Sequence, residues 1–191
     1  MHYEVSTFSE HLPLGVCANE AGRWLRGVAT WQYTPGTGLF ELGSVDRGLL
    51  IGPVPPRNGE DELPFSGRDG TRVRELLHCA TEEEFRDKWD TMYLIPRWPG
   101  LSGRRERWPA RLAQVLASRI VFCAKVALVC GCAAEVFNLT PYFNEYPLSV
   151  LSGRPVPGFA IPHPSGVNRY WNSEENKRKA AEFFAYVEGR F

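Results

Sequence analysis

Four short apolar runs, residues 48–52, 91–95, 126–130 and 158–162, are separated by stretches of helical periodicity. An apolar run of this length, bounded by turn formers, is the pattern of a strand buried on both faces. Its alternation with helices is that of βαβ units in a parallel sheet. The intervening patterns predict helices over 70–80 and 82–89, over 108–124, and, shorter, over 131–139. The closing helix has the fullest signature. Asn172 or Ser173 can accept from the free amides of its first turn, Glu174 and Glu175 suit the positive end of its dipole, and Ala180, Phe183, Phe184 and Val187 form one apolar stripe. Before residue 46 the pattern is less regular: 8–17 fits a helix, and Trp24, Trp31, Tyr33 and Phe40 are expected to cover one sheet edge. The expected architecture is a single domain, a three-layer α/β/α fold with a central four-stranded parallel sheet, in which residues 1–45 form a helical or irregular cover over the 46–191 core.

At 191 residues the chain can bury a sizeable core, and a composition of 43% hydrophobic and 23% charged residues is that of an ordered globular protein. No apolar stretch approaches the roughly 20 residues that a membrane helix needs, and no basic segment followed by an apolar run opens the chain, so a cytoplasmic protein without membrane association is expected. The five cysteines are scattered through apolar surroundings without a paired CxxC spacing, which suits reduced, buried thiols. The one close pair, Cys130-Gly131-Cys132, sits where a buried strand turns into a helix, which weighs against a metal site. Neither a metal nor another cofactor is expected. With 22 basic and 22 acidic residues the net charge is zero, so overall charge does not point to a polyanion. Arginines are nevertheless concentrated at Arg97, Arg104, Arg105, Arg107 and Arg111, beside Trp98 and Trp108. That stretch is either a solvated loop leading into a helix or a surface that contacts phosphates.

Each apolar run is followed at once by residues of unusual character: Pro53-Val54-Pro55-Pro56, Pro96-Arg97, Gly131, and His163-Pro164-Ser165-Gly166. In an open parallel sheet, ligands bind in the crevice at the carboxyl ends of the strands, so these segments are expected to converge on one pocket. Two of them carry a family resemblance. The stretch Ile51-Gly52-Pro53-Val54-Pro55-Pro56, continued by Asp61-Glu62-Leu63-Pro64-Phe65-Ser66-Gly67-Arg68-Asp69-Gly70, resembles the first motif of family 4 and family 5 uracil-DNA glycosylases. That motif is a GEAPG or GLAPA turn followed by an RPFxG segment opening a helix. The stretch Ile161-Pro162-His163-Pro164-Ser165-Gly166-Val167-Asn168-Arg169 resembles the HPS motif that follows the last strand of those enzymes. Ala127 to Ala134 is similar to their third strand and its Gly-Ala helix start, and the resemblance spans about residues 48 to 188.

The resemblance implies a DNA-base-processing enzyme that takes a pyrimidine out of the stack and breaks its N-glycosidic bond, and a monomer is expected. Such a site needs a donor facing the departing base oxygen, a carboxylate or water facing the cation-like sugar, and an aromatic against the base. His163, whose strand-end position and flanking Pro162 and Pro164 fix where its ring points, is the candidate donor. Phe65 matches the residue that stacks on the extruded base, with core packing as the alternative, and Gly52, Pro53 and Tyr93 would line the base pocket. Ser165 could orient a phosphate, and Val167 stands where the family inserts an apolar wedge. Gly166, Asn168, Arg169, Arg97 and Arg104 would complete the contact with DNA.

Two departures separate the chain from its relatives by resemblance. The glutamate of the GEAPG turn is Pro53, which cannot activate water. Family 5 enzymes use an aspartate instead, which makes Asp69 the nearest substitute and Asp61 the next; a helix N-cap is the competing role for Asp69. After the second strand, where the family reads uracil's polar edge with an asparagine, this chain has Thr91-Met92-Tyr93-Leu94-Ile95. The expected substrate is therefore a modified pyrimidine, to be hydrolysed. Transfer of a group onto an activated 5-substituted pyrimidine, and DNA binding without catalysis, are the competing functions.

Overall fold

A computed structural model describes residues 31–34, 37–57, 62–102, 105–106, 108–148 and 155–191. Five strands form its main sheet: β3 (Gly48–Gly52), β4 (Trp89–Tyr93), β8 (Val126–Cys130), β9 (Glu145–Leu148) and β10 (Val156–Ile161), in the order β4-β3-β8-β10-β9. The first four in space are mutually parallel, and the fold is a mixed α/β structure with a mostly parallel central sheet. β3 and β8 are buried at every position, as central parallel strands covered on both faces must be. Successive residues point to opposite faces, so Leu49, Ile51, Ala127, Val129 and Ala160 enter one core while Leu50, Leu128, Cys130, Phe159 and Ile161 enter the other.

Helices pack against both cores. On the second face lie α1 (Arg68–Leu76), α2 (Glu82–Lys88) and α5 (Glu174–Glu188), through Val73, Phe85 and the stripe Ala180, Phe183, Phe184 and Val187. On the first lie α3 (Ala110–Ala117) and α4 (Cys132–Val136). Ser173 caps α5, its hydroxyl accepting from the Asn176 amide.

Several expectations are corrected. The sheet has five strands, the fifth being β9, antiparallel to β10; its Pro147 cannot donate to a ladder and is tolerated because β9 is an edge. The helix expected over 108–124 ends at Ala117, and Ile120–Phe122 is a strand, β7, because β-branched Ile120 and Val121 fit a pleated surface and pair in parallel with β2 (Leu39–Leu42). β1 (Trp31–Thr34), β2 and β7 form a small second sheet instead of an irregular edge cover, and Phe40 and Leu42 anchor it on the first face. β4 begins two residues earlier than expected, yet its pairing continues: Leu94 and Ile95 amides donate to Gly52 and Pro53 carbonyls at 2.8 and 3.0 Å. The arginine-rich segment carries a short hairpin, β5 (Leu101–Ser102) with β6 (Arg105–Glu106). The helix expected over 8–17, Trp24, Asp61 and Arg104 lie outside the described residues. No helix among the described residues is long and apolar enough to cross a membrane.

Candidate functional site

Chain order reverses between β3 and β8: from β3 the chain moves outward to β4, and from β8 it moves the other way to β10. The crevice at such a reversal, beyond the carboxyl ends of the strands, is where α/β sheets hold ligands. Gly52-Pro53 leave β3 there, Gly131 leaves β8, and Pro162-His163 leave β10.

Gly131 is required twice. Its φ of +54° with ψ of −132° lies where side chains are strained, and a methyl group on it would come within 3.3 Å of His163 Cβ. Its amide donates to the Ile161 carbonyl at 2.9 Å, locking the β8 exit to the β10 exit. His163 therefore stands with its ring beside bare backbone. The Ser165 amide donates to Nδ1 of that ring at 3.2 Å, so the neutral imidazole carries its proton on Nε2. The His163 carbonyl accepts from both Asn168 Nδ2 at 3.0 Å and Trp171 Nε1 at 2.9 Å.

Asp69, 94 positions earlier, brings Oδ2 to 3.9 Å from His163 Nδ1, with 39% of its side chain exposed against 24% for the histidine. The N-cap role is excluded: the cap of α1 is Gly67, without a side-chain cap bond, and Asp69 lies inside the first turn. One turn further along α1, Arg72 Nη1 donates to the Pro164 and Ser165 carbonyls at 3.1 and 3.2 Å.

Phe65 and Tyr93 meet over Gly52. Their ring centroids are 5.5 Å apart, and a methyl group on Gly52 would sit 2.8 Å from the tyrosine ring and 2.9 Å from the phenylalanine ring. The Phe65 amide donates to the Tyr93 hydroxyl at 3.4 Å, and burial pushes that phenol up to about 12, so it remains a neutral donor. Phe65 is held at φ +61°, uncommon for a bulky side chain, and is only 2% exposed. It belongs to the second core, which supports its alternative role as packing; in this conformation it is a floor and offers little free face to a base. Arg86 of α2 holds the preceding loop, donating to the Pro64 carbonyl at 2.8 Å and to Thr91 Oγ1 at 2.6 Å.

Pro53, Val54 and Pro55 are buried, so the turn after β3 is a closed apolar wall. Val167 is 90% exposed, an unsupported apolar side chain four residues after His163, and Gly166, Arg169 and Arg97 are exposed around it or at the β4 exit. Arg57 stacks on Trp98, 5.5 Å from the ring centre, joining the loops after β3 and β4. A cleft of about 200 Å³ is lined by Gly131, Glu135, Thr140 and Tyr142 among others; neither His163 nor Asp69 lines it, and Gly131 is its one link to the histidine.

The structure thus brings His163 and Asp69 together, gathers Gly52, Phe65 and Tyr93 at the end of β3, and leaves Ser165 to Arg169 as a partly exposed loop. Arg72 and Arg86 carry no sequence signal, because the bonds by which they hold the loops, to Pro164, Ser165 and Pro64, reach partners that only the fold supplies. Cys130 is fully buried, its thiol pushed up by that burial, and neither it nor Cys79, Cys123 or Cys132 is in a disulfide. No three His, Cys, Asp or Glu among the described residues converge as a metal site requires. No protein-family model matches the chain, and no curated protein matches it significantly.

Proposed function

We propose that the protein is a DNA-base-processing enzyme with a three-layer α/β/α fold of the uracil-DNA glycosylase type, which binds a flipped, modified pyrimidine and hydrolyses its N-glycosidic bond. The observation that carries this reading is the His163–Asp69 pair, His163 just beyond the carboxyl end of β10 and Asp69 in the first turn of α1. The bond breaks when negative charge on the departing base and positive charge on the sugar are both stabilised. An imidazole whose Nδ1 accepts a backbone amide presents Nε2–H, the donor the base oxygen requires. A part-exposed carboxylate beside it supplies negative charge near the sugar and remains open to a water. The exposed Val167 suits the place of a base withdrawn from the stack.

Group transfer onto the base is the second reading, and Pro53 favours it: the buried apolar turn carries no residue that activates water. Matched oligonucleotides containing uracil, 5-hydroxymethyluracil and bulkier 5-substituted pyrimidines distinguish the two. Alkali-sensitive abasic sites on the modified substrates are expected, with little release of plain uracil, because the stretch 91–95 lacks the asparagine that would pair with uracil's polar edge. An intact strand of altered base mass would establish transfer; binding without either product would leave a DNA-binding module.

A further inference from the structure

The loop bearing His163 is held from two sides. Asn168 and Trp171 bond the His163 carbonyl, but both lie within eight residues of it and tie the loop only to its own following turn. They cannot set the distance to Asp69, which sits on a different element. Arg72 can. It is three residues after Asp69 on α1, hence on the same helix face, and its Nη1 bridges two successive carbonyls of the loop, Pro164 at 3.1 Å and Ser165 at 3.2 Å. The second of these carbonyls belongs to the residue whose amide orients the His163 ring.

We infer that Arg72 is a positioning residue that clamps α1 to the 163–165 loop and thereby creates the coupling between Asp69 and His163. The guanidinium is suited to this because it stays charged and presents several donors in a fixed plane. Without it, the 3.9 Å spacing between the carboxylate and the ring is no longer imposed. The inference rests on the geometry of the pair and applies to either bond chemistry proposed for the site.

The test follows the His163 ring by NMR with histidine side chains isotopically labelled, His163→Ala assigning the signal, and needs no substrate. Proton affinity of the ring is titrated in the unaltered protein, in Asp69→Asn, in Arg72→Gln and in the double variant. A carboxylate about 4 Å away raises proton affinity roughly fivefold or more even under strong solvent screening. Asp69→Asn is expected to remove that increment when Arg72 is present and to change affinity less than twofold when Arg72 is Gln. Comparing the two increments cancels the direct effect of the arginine's own charge, and a merely structural role would leave them equal. Should Arg72→Gln fail to fold, Arg72→Met, which keeps the stem and removes only the donors, repeats the comparison. Equal increments in both backgrounds, or no increment in either, would overturn the inference, whatever activity the protein has.

Discussion

At the scale of single residues, the site depends on where protons sit. Nδ1 of His163 is occupied by the Ser165 amide, so the ring donates through Nε2, and replacing it removes the donor without opening a packed core. His163→Ala is expected to lower the rate on a modified-pyrimidine oligonucleotide by on the order of 100-fold or more, with melting temperature and DNA affinity nearly unchanged. Unimpaired turnover would remove the residue from the chemistry. Tyr93 gives a prediction about pH. Burial raises its phenol from 10.0 to about 12, against the smaller opposing effect of the Phe65 amide. The unfolded chain therefore releases this proton first as pH rises, and by linkage stability falls between pH 10.0 and about 12. Urea unfolding on either side of that window should show a smaller loss in Tyr93→Phe than in the unaltered protein; equal losses would mean that the phenol titrates normally.

At the scale of elements, short helices rely on their ends. In α2 the Thr81 hydroxyl accepts from the Glu84 amide at 3.0 Å, while the Glu84 carboxylate reaches back to the Ala80 amide at 2.8 Å, a reciprocal arrangement close to a capping box. Thr81→Ala is expected to destabilise the protein by about 1 kcal/mol, measurable by denaturant unfolding, and Thr81→Ser to restore most of it. The same helix carries Arg86, which bonds the Pro64 carbonyl and so ties the helix to the loop that presents Phe65. Where local signals agree with burial, as in β3, β8 and α5, elements were legible with the observed limits or nearly so. Where they competed, burial decided: the pattern over 108–124 reads as one helix, yet its β-branched end is drawn into the small sheet by β2.

At the scale of the whole molecule, zero net charge conceals a local distribution. Arg97 and Arg169 are exposed at the strand ends and in the His163 loop, on the side where the candidate groups gather. DNA affinity is therefore expected to fall as salt rises, with a slope reflecting the few phosphates neutralised there, and to be weakened by Arg169→Ala or Arg97→Ala. Titrations at several salt concentrations test this. Affinity indifferent to salt would argue against a phosphate-tracking surface.

The amino-acid sequence by itself determined the parallel strands and the apolar stripe of α5, because these depend on periodicity and turn chemistry within short windows. It marked His163 through its flanking prolines, while Asp69 and Phe65 were singled out by the resemblance to the glycosylase motifs. Only the tertiary structure decided that His163 and Asp69 meet, that Gly131 lies against the histidine ring, that Phe65 is buried as a floor, and that Arg72 bridges to a loop 92 residues away. The antiparallel edge strand β9 was hidden for the same reason: a four-residue segment containing proline has no strand signal of its own and exists only because β10 offers it a partner. Pairings across such distances are set by packing of the two cores and by unmet hydrogen-bonding groups, neither of which leaves a local pattern in the chain.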